Sequence, residues 1–319
     1  MESMLALRVE HVESVTPRVR KVVLGREDGG LLPSFTPGAH IEVHIPTSET
    51  TSTLRRAYSL VRSGMEGRQY EIAVQLEPNG RGGSAWIHQL ALGQNVTASL
   101  PKNQFPLVGE AANPLLIAAG IGVTPIMSMA LYLNQRAMPF DAHVVARDRE
   151  QAAYVEELDA MSEVRYWFDN GDPAQGMPLH DVMARTDKGR HLHVCGPKGF
   201  IAAVFEVART LNWPEEQLHC ELFTEATPTA SDTPFRVTLA LSGQTLDVAS
   251  DQTILQAMED AGLDPMFDCR RGDCGICIAN VVQGHADHRD ICLTPGERES
   301  GSFCICVSRA HSDHLVLEL

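Results

Sequence analysis

Cys269-Arg270-Arg271-Gly272-Asp273-Cys274-Gly275-Ile276-Cys277 is the stretch on which the reading of this 319-residue chain turns. Its spacing is Cys-x4-Cys-x2-Cys, and Cys306 follows 28 intervening residues after Cys277. That is the plant-type [2Fe–2S] spacing, in which three thiolates from one tight loop wrap a small cluster while backbone N–H groups point at its sulfurs. Gly272 and Gly275 suit such a loop because glycine accepts positive φ and close backbone approach. Arg270 and Arg271 are expected to offset the negative charge of thiolates and sulfides. The competing reading is a four-cysteine zinc site, which more often shows two separated Cys-x2-Cys pairs, a pattern missing here. Spacing alone leaves Cys304 as a rival fourth ligand, and it makes Cys292 a buried or free thiol. His285 and His288 would tempt a Rieske reading, but Rieske centres replace two cysteines with histidine and four cysteines already suffice.

Outward from that loop, the eight cysteines are unevenly spread, with six of them in residues 269–319. The opening Met1-Glu2-Ser3-Met4 lacks the basic start and apolar run of a secretory signal. Crowded thiols without a signal read as metal ligands rather than a disulfide framework, so the expected compartment is the cytoplasm. The chain has 26 Lys and Arg against 41 Asp and Glu, a net charge of −15, which argues against nucleic acid or an anionic membrane as partner. Hydrophobic residues make up 44% and charged residues 21%, a globular balance, and the length implies two or three cores. Residues 114–132 are apolar but carry Gly120, Gly122, Thr124 and Pro125 at their centre. A buried strand, turn and helix is expected there, with no membrane span.

Three segments follow from periodicity. Residues 1–107 alternate with period two, as in His40-Ile41-Glu42-Val43-His44-Ile45 and Tyr70-Glu71-Ile72-Ala73-Val74, with turn residues between runs and one short helix near 84–92. This predicts an antiparallel β-barrel. In residues 108–225, strands near 115–119, 142–146, 165–169 and 191–195 alternate with helices near 125–134, 151–161 and 198–211, which predicts an α/β parallel sheet. Residues 224–234 contain four Thr and no large apolar residue and read as a linker. Residues 226–319 form a third, α+β domain: strands at 237–241 and 245–248, a helix near 254–261, then the cysteine loop.

Two more constellations carry chemistry. Gly120-Ile121-Gly122-Val123-Thr124-Pro125 follows a strand and opens a helix, offering N–H groups to a pyrophosphate, with Pro125 favourable at the helix start. A packing turn explains it equally well. Cys195-Gly196-Pro197 ends another apolar strand, where ligands of parallel sheets bind. Arg147 and Arg149 follow the second strand and are able to hold a 2′-phosphate; Asp169 ends the third and is able to accept a ribose hydroxyl. In the barrel segment, Arg56-Ala57-Tyr58-Ser59 offers a ring to lie on a flat heterocycle and groups for phosphate and hydroxyls. Gly80-Arg81-Gly82-Gly83-Ser84 opens a helix with its own cation, an anion site in outline.

With these motifs in this order the chain resembles the phthalate dioxygenase reductase-type flavoproteins along essentially its whole length. Arg56-Ala57-Tyr58-Ser59 is similar to their R-x-Y-S flavin motif, and Gly80-Arg81-Gly82-Gly83-Ser84 to their FMN-phosphate turn. Gly120-Ile121-Gly122-Val123-Thr124-Pro125 matches G-I-G-[IV]-T-P and Cys195-Gly196-Pro197 matches C-G-P. Glu221-Leu222-Phe223 resembles E-x-F, whose aromatic ring stacks near the flavin. Cys306-Val307-Ser308-Arg309-Ala310 matches the closing C-V-S-R-A, which makes Cys306 the implied fourth ligand beside Cys269, Cys274 and Cys277. Ala119, where Gly is common, and the extra thiol Cys304 are small departures.

The resemblance implies FMN, a [2Fe–2S] cluster and NADH as cosubstrate, with electrons passing from NADH through FMN and the cluster to a Rieske-type terminal oxygenase in aromatic catabolism. The oxygenase would be a phthalate-type dioxygenase or a vanillate-type O-demethylase. Thr124, Cys195 and Phe223 are then expected at the hydride-transfer junction, with Phe223 holding the nicotinamide position until NADH displaces it. Residues 226–319 carry 14 acidic and 6 basic residues and no Lys, which suits salt-sensitive docking to a basic acceptor patch. The alternatives are the reductase of a quaternary-amine monooxygenase and a non-catalytic redox sensor.

Overall fold

The computed structural model describes residues 4–46, 53–184, 189–223 and 229–319. The chain divides into two compact units, Met1–Glu221 and Leu222–Leu319.

The first unit begins with strands β1 (Met4–Ser14), β2 (Val19–Arg26), β3 (His40–Pro46), β4 (Thr53–Ser59), β5 (Arg62–Gly64) and β6 (Gln69–Gln75). Helix α1 (Gly83–Gln89) and β7 (Asn95–Ser99) follow. Period-two alternation sets the inward face: Leu5, Leu7 and Val9 of β1 are buried while their neighbours are exposed. The antiparallel sheet runs β4-β3-β7-β1-β2-β6-β5. Its two edges meet on one continuous segment. Leu60 N–H donates to the Ala39 carbonyl beside β3, and Val61 N–H donates to Glu71 of β6, so one stretch of chain pairs with both ends and closes a barrel.

The second part of this unit contains β8 (Leu115–Ala119), α2 (Val123–Gln135), β9 (Asp141–Ala146), α3 (Val155–Asp159) and β10 (Val164–Phe168). It continues with α4 (Leu179–Ala184), β11 (Leu192–Cys195), α5 (Lys198–Thr210) and β12 (Leu218–Glu221). All pairings in the order β10-β9-β8-β11-β12 are parallel. The chain steps from β8 outward through β9 to β10 and returns on the other side at β11. That reversal leaves a crevice at the carboxyl ends of β8 and β11.

The expected helix at 151–161 shrinks to α3. Asp148 accepts hydrogen bonds from the Gln151 N–H (2.9 Å) and side-chain amide, holding residues 148–151 in a turn, and Tyr154 sits at φ +63°. Tyr154 is buried and donates to Glu71 on β6 at 3.0 Å, joining barrel and parallel sheet. Val61, Ala73 and Phe105 of the barrel segment share one apolar cluster with Leu116, Ile126 and Met129. Helix α4 lies outside the expected elements.

The second unit contains β13 (Phe235–Leu239), β14 (Thr245–Val248), α6 (Ile254–Asp260), β15 (Ile278–Gln283), β16 (Ala286–Asp287), α7 (Pro295–Glu299), β17 (Ser302–Cys304), β18 (Arg309–Ala310) and β19 (His314–Glu318). Its main sheet runs β14-β13-β19-β15-β17, parallel only between β13 and β19. A capping box between Thr253 and Gln256 starts α6, which buries Ile254, Leu255, Ala257 and Met258.

Part of the expected linker is structured. Residues 224–228 of the break lie outside the described residues, but residues 229–234 are anchored within the second unit. Asp232 accepts from both Arg289 nitrogens (2.8 and 2.6 Å) and from the Thr229 N–H (2.9 Å). The Arg289 guanidinium holds the Asp232 carboxyl well below the usual carboxylate range. Buried Arg309 donates to the carbonyls of Thr233, Ala249 and Gln252. Polar composition concealed an anchor whose partners lie 57 or more residues further along the chain. No helix among the described residues is long and apolar enough to cross a membrane.

Candidate functional site

Cys269, Cys274, Cys277 and Cys306 come together in the second unit. The Cys269 sulfur contacts those of Cys274 and Cys306, and the Cys277 sulfur contacts those of Cys304 and Cys306. Cys306 therefore reaches both halves of the loop, whereas Cys304 touches Cys277 and Cys292. Hydrogen bonds from Cys274 hold the Cys269 thiol far below the usual range, and those from Cys304 and Cys306 bring Cys277 down to about 4. The same contact with Cys269 pushes the Cys274 and Cys306 thiols up, so the set shares its protons and two of the four thiols lean to thiolate, the ligand form. The Arg271 N–H donates to the Cys269 sulfur at 3.3 Å, the type of backbone donor a cluster needs.

The loop's conformation depends on its glycines. Gly272 has φ +78°, and a Cβ there would lie 2.7 Å from Val307 and 3.1 Å from the Asp290 backbone. Gly275 has φ +74°. The two arginines behave differently from expectation. Arg270 turns to Glu259 on α6 (3.0 Å) and over the Phe267 ring, so its charge is spent on a carboxylate of its own. Arg271 stays buried in the loop, 3.6 Å from Asp273. Sequence reading passed over Asp273. Its carboxyl packs with Cys269 and Cys274, accepts from the Leu222 N–H at 2.9 Å, and is pushed up to about 7 by burial. The available signal was an acid inside a thiolate loop, where charge alone would disfavour one.

In the barrel, strand β4 carries Arg56 and Tyr58 on one face, and α1 brings Gly83 against both. A Cβ on Gly83 would lie 2.9 Å from Arg56 Cγ and 3.4 Å from the Tyr58 hydroxyl. The two flavin motifs, 21 residues apart at their closest, are thus one cradle. The Tyr58 hydroxyl and the Ser59 hydroxyl are buried with no hydrogen-bond partner, and burial pushes the Tyr58 phenol up to about 12. Orphaned buried polar groups need a partner, and a polar planar ligand with hydroxyls and a phosphate supplies one. Ala57 faces outward, Arg81 and Gly82 lie exposed on the turn ahead of α1, and the Ser84 hydroxyl accepts from the Glu77 N–H at 3.0 Å. Gly82 takes φ +88° to make that turn.

At the crevice of the parallel sheet, Gly122 and Cys195-Gly196 touch. A Cβ on Gly122 would lie 2.2 Å from the Cys195 carbonyl oxygen, and one on Gly196 would lie 2.8 Å from Ala119 Cβ. Gly120 takes φ +56°. The helix starts at Val123, so Pro125 is its third residue rather than its first; the preceding tight turn at residues 120–122 runs straight into it. That position is still in the first turn, where an N–H has no intrahelical partner to lose. The Thr124 hydroxyl donates to the Ile121 carbonyl, and Thr124 and Cys195 are both buried at this contact. Pro197 precedes α5.

Arg147 and Asp169 follow the neighbouring strands β9 and β10, linked by Asn170 N–H to the Arg147 carbonyl at 2.8 Å. One Asp169 oxygen accepts from Gly171 N–H. Arg149 instead pairs with Asp159 and lies over Tyr166. Phe223 stands in the second unit, one residue after the Leu222–Asp273 hydrogen bond, and is 38% exposed.

Fold and site define an oxidoreductase class: a flavin- and nicotinamide-binding unit followed by a [2Fe–2S] unit. The family model for the 2Fe-2S iron-sulfur cluster binding domain matches residues 237–311. The chain is 41% identical to vanillate O-demethylase oxidoreductase of Pseudomonas sp. strain HR199 over 92% of its own length and 93% of that protein. It is 36% identical to the heme-dependent oxidative N-demethylase beta subunit of Ectopseudomonas mendocina, covering 100% of both. The solved phthalate dioxygenase reductase, a modular structure for electron transfer from pyridine nucleotides to [2Fe–2S], superposes with a TM-score of 0.71 at 34% identity, covering 99% of this chain and 98% of that one. The chain belongs to the phthalate dioxygenase reductase-type [2Fe–2S] reductases, electron-transfer components of oxygenase systems. These relatives are reductase components of enzyme systems and do not favour the redox-sensor alternative.

Proposed function

We propose that this chain is the NADH-dependent reductase of a Rieske-type terminal oxygenase acting on an aromatic acid, of the phthalate dioxygenase or vanillate O-demethylase kind, in the cytoplasm. The observation that carries the reading is that one chain holds a Gly83-Arg56-Tyr58 cradle, a Gly122-Cys195 crevice and a set of clustered thiols. In this reading residues 1–107 bind FMN, 108–225 bind the nicotinamide nucleotide and 226–319 hold the cluster.

Arg56, Arg81 and Ser84 hold the FMN phosphate, Gly82 and Gly83 leave it room, Tyr58 and Ser59 line the ribityl and ring positions, and Ala57, facing outward, sets Arg56 and Tyr58 on one face. Gly120, Gly122, Pro125, Gly196 and Pro197 shape the path of the dinucleotide, with Arg147 and Asp169 at its ribose. Thr124, Cys195 and Phe223 set the nicotinamide ring. Cys269, Cys274, Cys277 and Cys306 ligate the irons, and the double contact made by Cys306 supports it over Cys304. FMN and the cluster, when bound, convert a two-electron donor into single electrons. The chain's own part is to align the rings and exclude dioxygen. None of the eight cysteines is in a disulfide, in keeping with a reducing compartment.

The released flavin is expected to have the mass of FMN, and NADH is expected to reduce the protein faster than NADPH. Raised ionic strength should slow delivery to a purified Rieske oxygenase while leaving flavin reduction unchanged. Release of FAD, or delivery indifferent to salt, would count against the cofactor or the docking reading respectively.

A further inference from the structure

Cys292 and Cys304 lie outside the proposed ligand set, yet their sulfurs are 3.4 Å apart. Cys304 ends β17 and is fully buried, whereas Cys292 is partly exposed on the loop before α7. That asymmetry is the arrangement of a dithiol: an accessible sulfur that meets an oxidant and a shielded one in reach to resolve it. The pair is also next to the thiolate loop. Cys304 contacts Cys277, the Ile291 and Cys292 N–H groups donate to the Gly272 carbonyl at 3.0 and 3.3 Å, and the Ile305 N–H donates to the Cys277 carbonyl at 3.3 Å.

Asp290 lies close enough to make a three-ligand metal group with these thiols. Its carboxylate is already committed to the Leu293 N–H at 3.1 Å, Arg298 at 3.0 Å and the Ser308 hydroxyl. A metal would have to break that set, so the pair stands as a thiol couple rather than a metal site.

We propose that Cys292 and Cys304 form a peroxide-reactive dithiol that closes to a disulfide beside the cluster while the four ligand cysteines stay reduced. This rests on Cys306, not Cys304, being the fourth ligand. The oxidant is hydrogen peroxide, which dioxygen yields by taking two electrons and two protons from the NADH-reduced protein. The Cys292 thiol attacks peroxide, giving its sulfenic acid and water. The Cys304 thiol then displaces the hydroxyl of that acid, forming the S–S bond and a second water. Two thiols lose two electrons and two protons, and one peroxide becomes two waters. The consequence is protection: peroxide reaching this side of the loop is consumed before Cys277.

The test treats the oxidised holoprotein, without NADH, with stoichiometric hydrogen peroxide, then alkylates and digests it with trypsin. Expected is a cross-link between peptides 290–298 and 299–309, fragmenting to Cys304 rather than Cys306. It should be reversible by dithiothreitol, with the cluster's visible bands retained. In Cys292→Ser holoprotein the same peroxide should bleach those bands several-fold faster. Cluster bleaching ahead of any cross-link in the wild type, or equal bleaching in Cys292→Ser, would overturn the proposal. The spectrum of untreated Cys304→Ser separates the two readings: retained bands keep Cys306 as ligand, and lost bands overturn the ligand assignment and the dithiol with it.

Discussion

The two units store their sites in opposite ways. In the second unit nine consecutive residues, 269–277, supply three of the four proposed ligands, and the loop's own glycines set its shape. In the first unit nothing is complete locally: the cradle joins β4 to α1, and the crevice joins the turn after β8 to the end of β11. Both junctions are glycines pressed against a partner too close for a Cβ. A contiguous site tolerates change around it and fails when a ligand is lost. An assembled site depends on how segments approach, so it fails by small displacements.

The largest effect expected from this contrast is at Cys306. Cys306→Ser should remove essentially all cluster absorbance while flavin content and NADH-driven flavin reduction persist, whereas Cys304→Ser should keep the cluster; visible spectra of both variants decide it. Next is Arg309→Ala, which leaves three carbonyls without their donor and removes the second cation beside Asp232, 3.7 Å away. A loss of about 2–4 kcal/mol confined to the second unit is expected, read as earlier cluster bleaching on heating with flavin release unmoved.

Gly122→Ala places a methyl 2.2 Å from the Cys195 carbonyl. It should cost about 1–3 kcal/mol in the first unit and slow reduction by NADH. Gly83→Ala meets the side-chain Cγ of Arg56 rather than backbone, so weaker flavin retention of about 1 kcal/mol is expected, measured by flavin dissociation. If Gly122→Ala leaves NADH kinetics untouched, the contrast between assembled and contiguous sites is wrong.

The smallest effect is in the pH response. Burial holds His143 and His219 neutral, with pKa values brought down to about 4 from 6.5. The unfolded chain therefore binds protons first, and the first unit loses stability as pH falls from about 6.5 toward 4. Asp232 in the second unit is depressed below its ordinary 3.8, so its contribution is present above that value and fades only at lower pH. Thermal unfolding between pH 7 and 4.5, followed through flavin release and cluster absorbance, should show the flavin signal moving first.

This contrast also explains what the sequence made legible. The thiolate loop could be read because its chemistry and its spacing are both local. The β-barrel and parallel-sheet segments could be read from periodicity, and the ferredoxin-like segment from its thiol spacing. Contacts across long separations could not: residues 229–234 resemble a linker until Arg289 and Arg309 are seen holding Asp232. The helix read at 151–161 was stopped by the Asp148 side chain and by Tyr154 leaving helical φ to reach Glu71. Arg270 sat in the thiolate loop's sequence but was claimed by Glu259, eleven residues earlier.

An anaerobic titration of the purified holoprotein with NADH tests the central account most directly. Flavin takes two electrons and the cluster one, so full bleaching of both chromophores is expected at about 1.5 equivalents of NADH per chain. A titration that ends at about one equivalent with the cluster bands intact would contradict an electron path joining the two units.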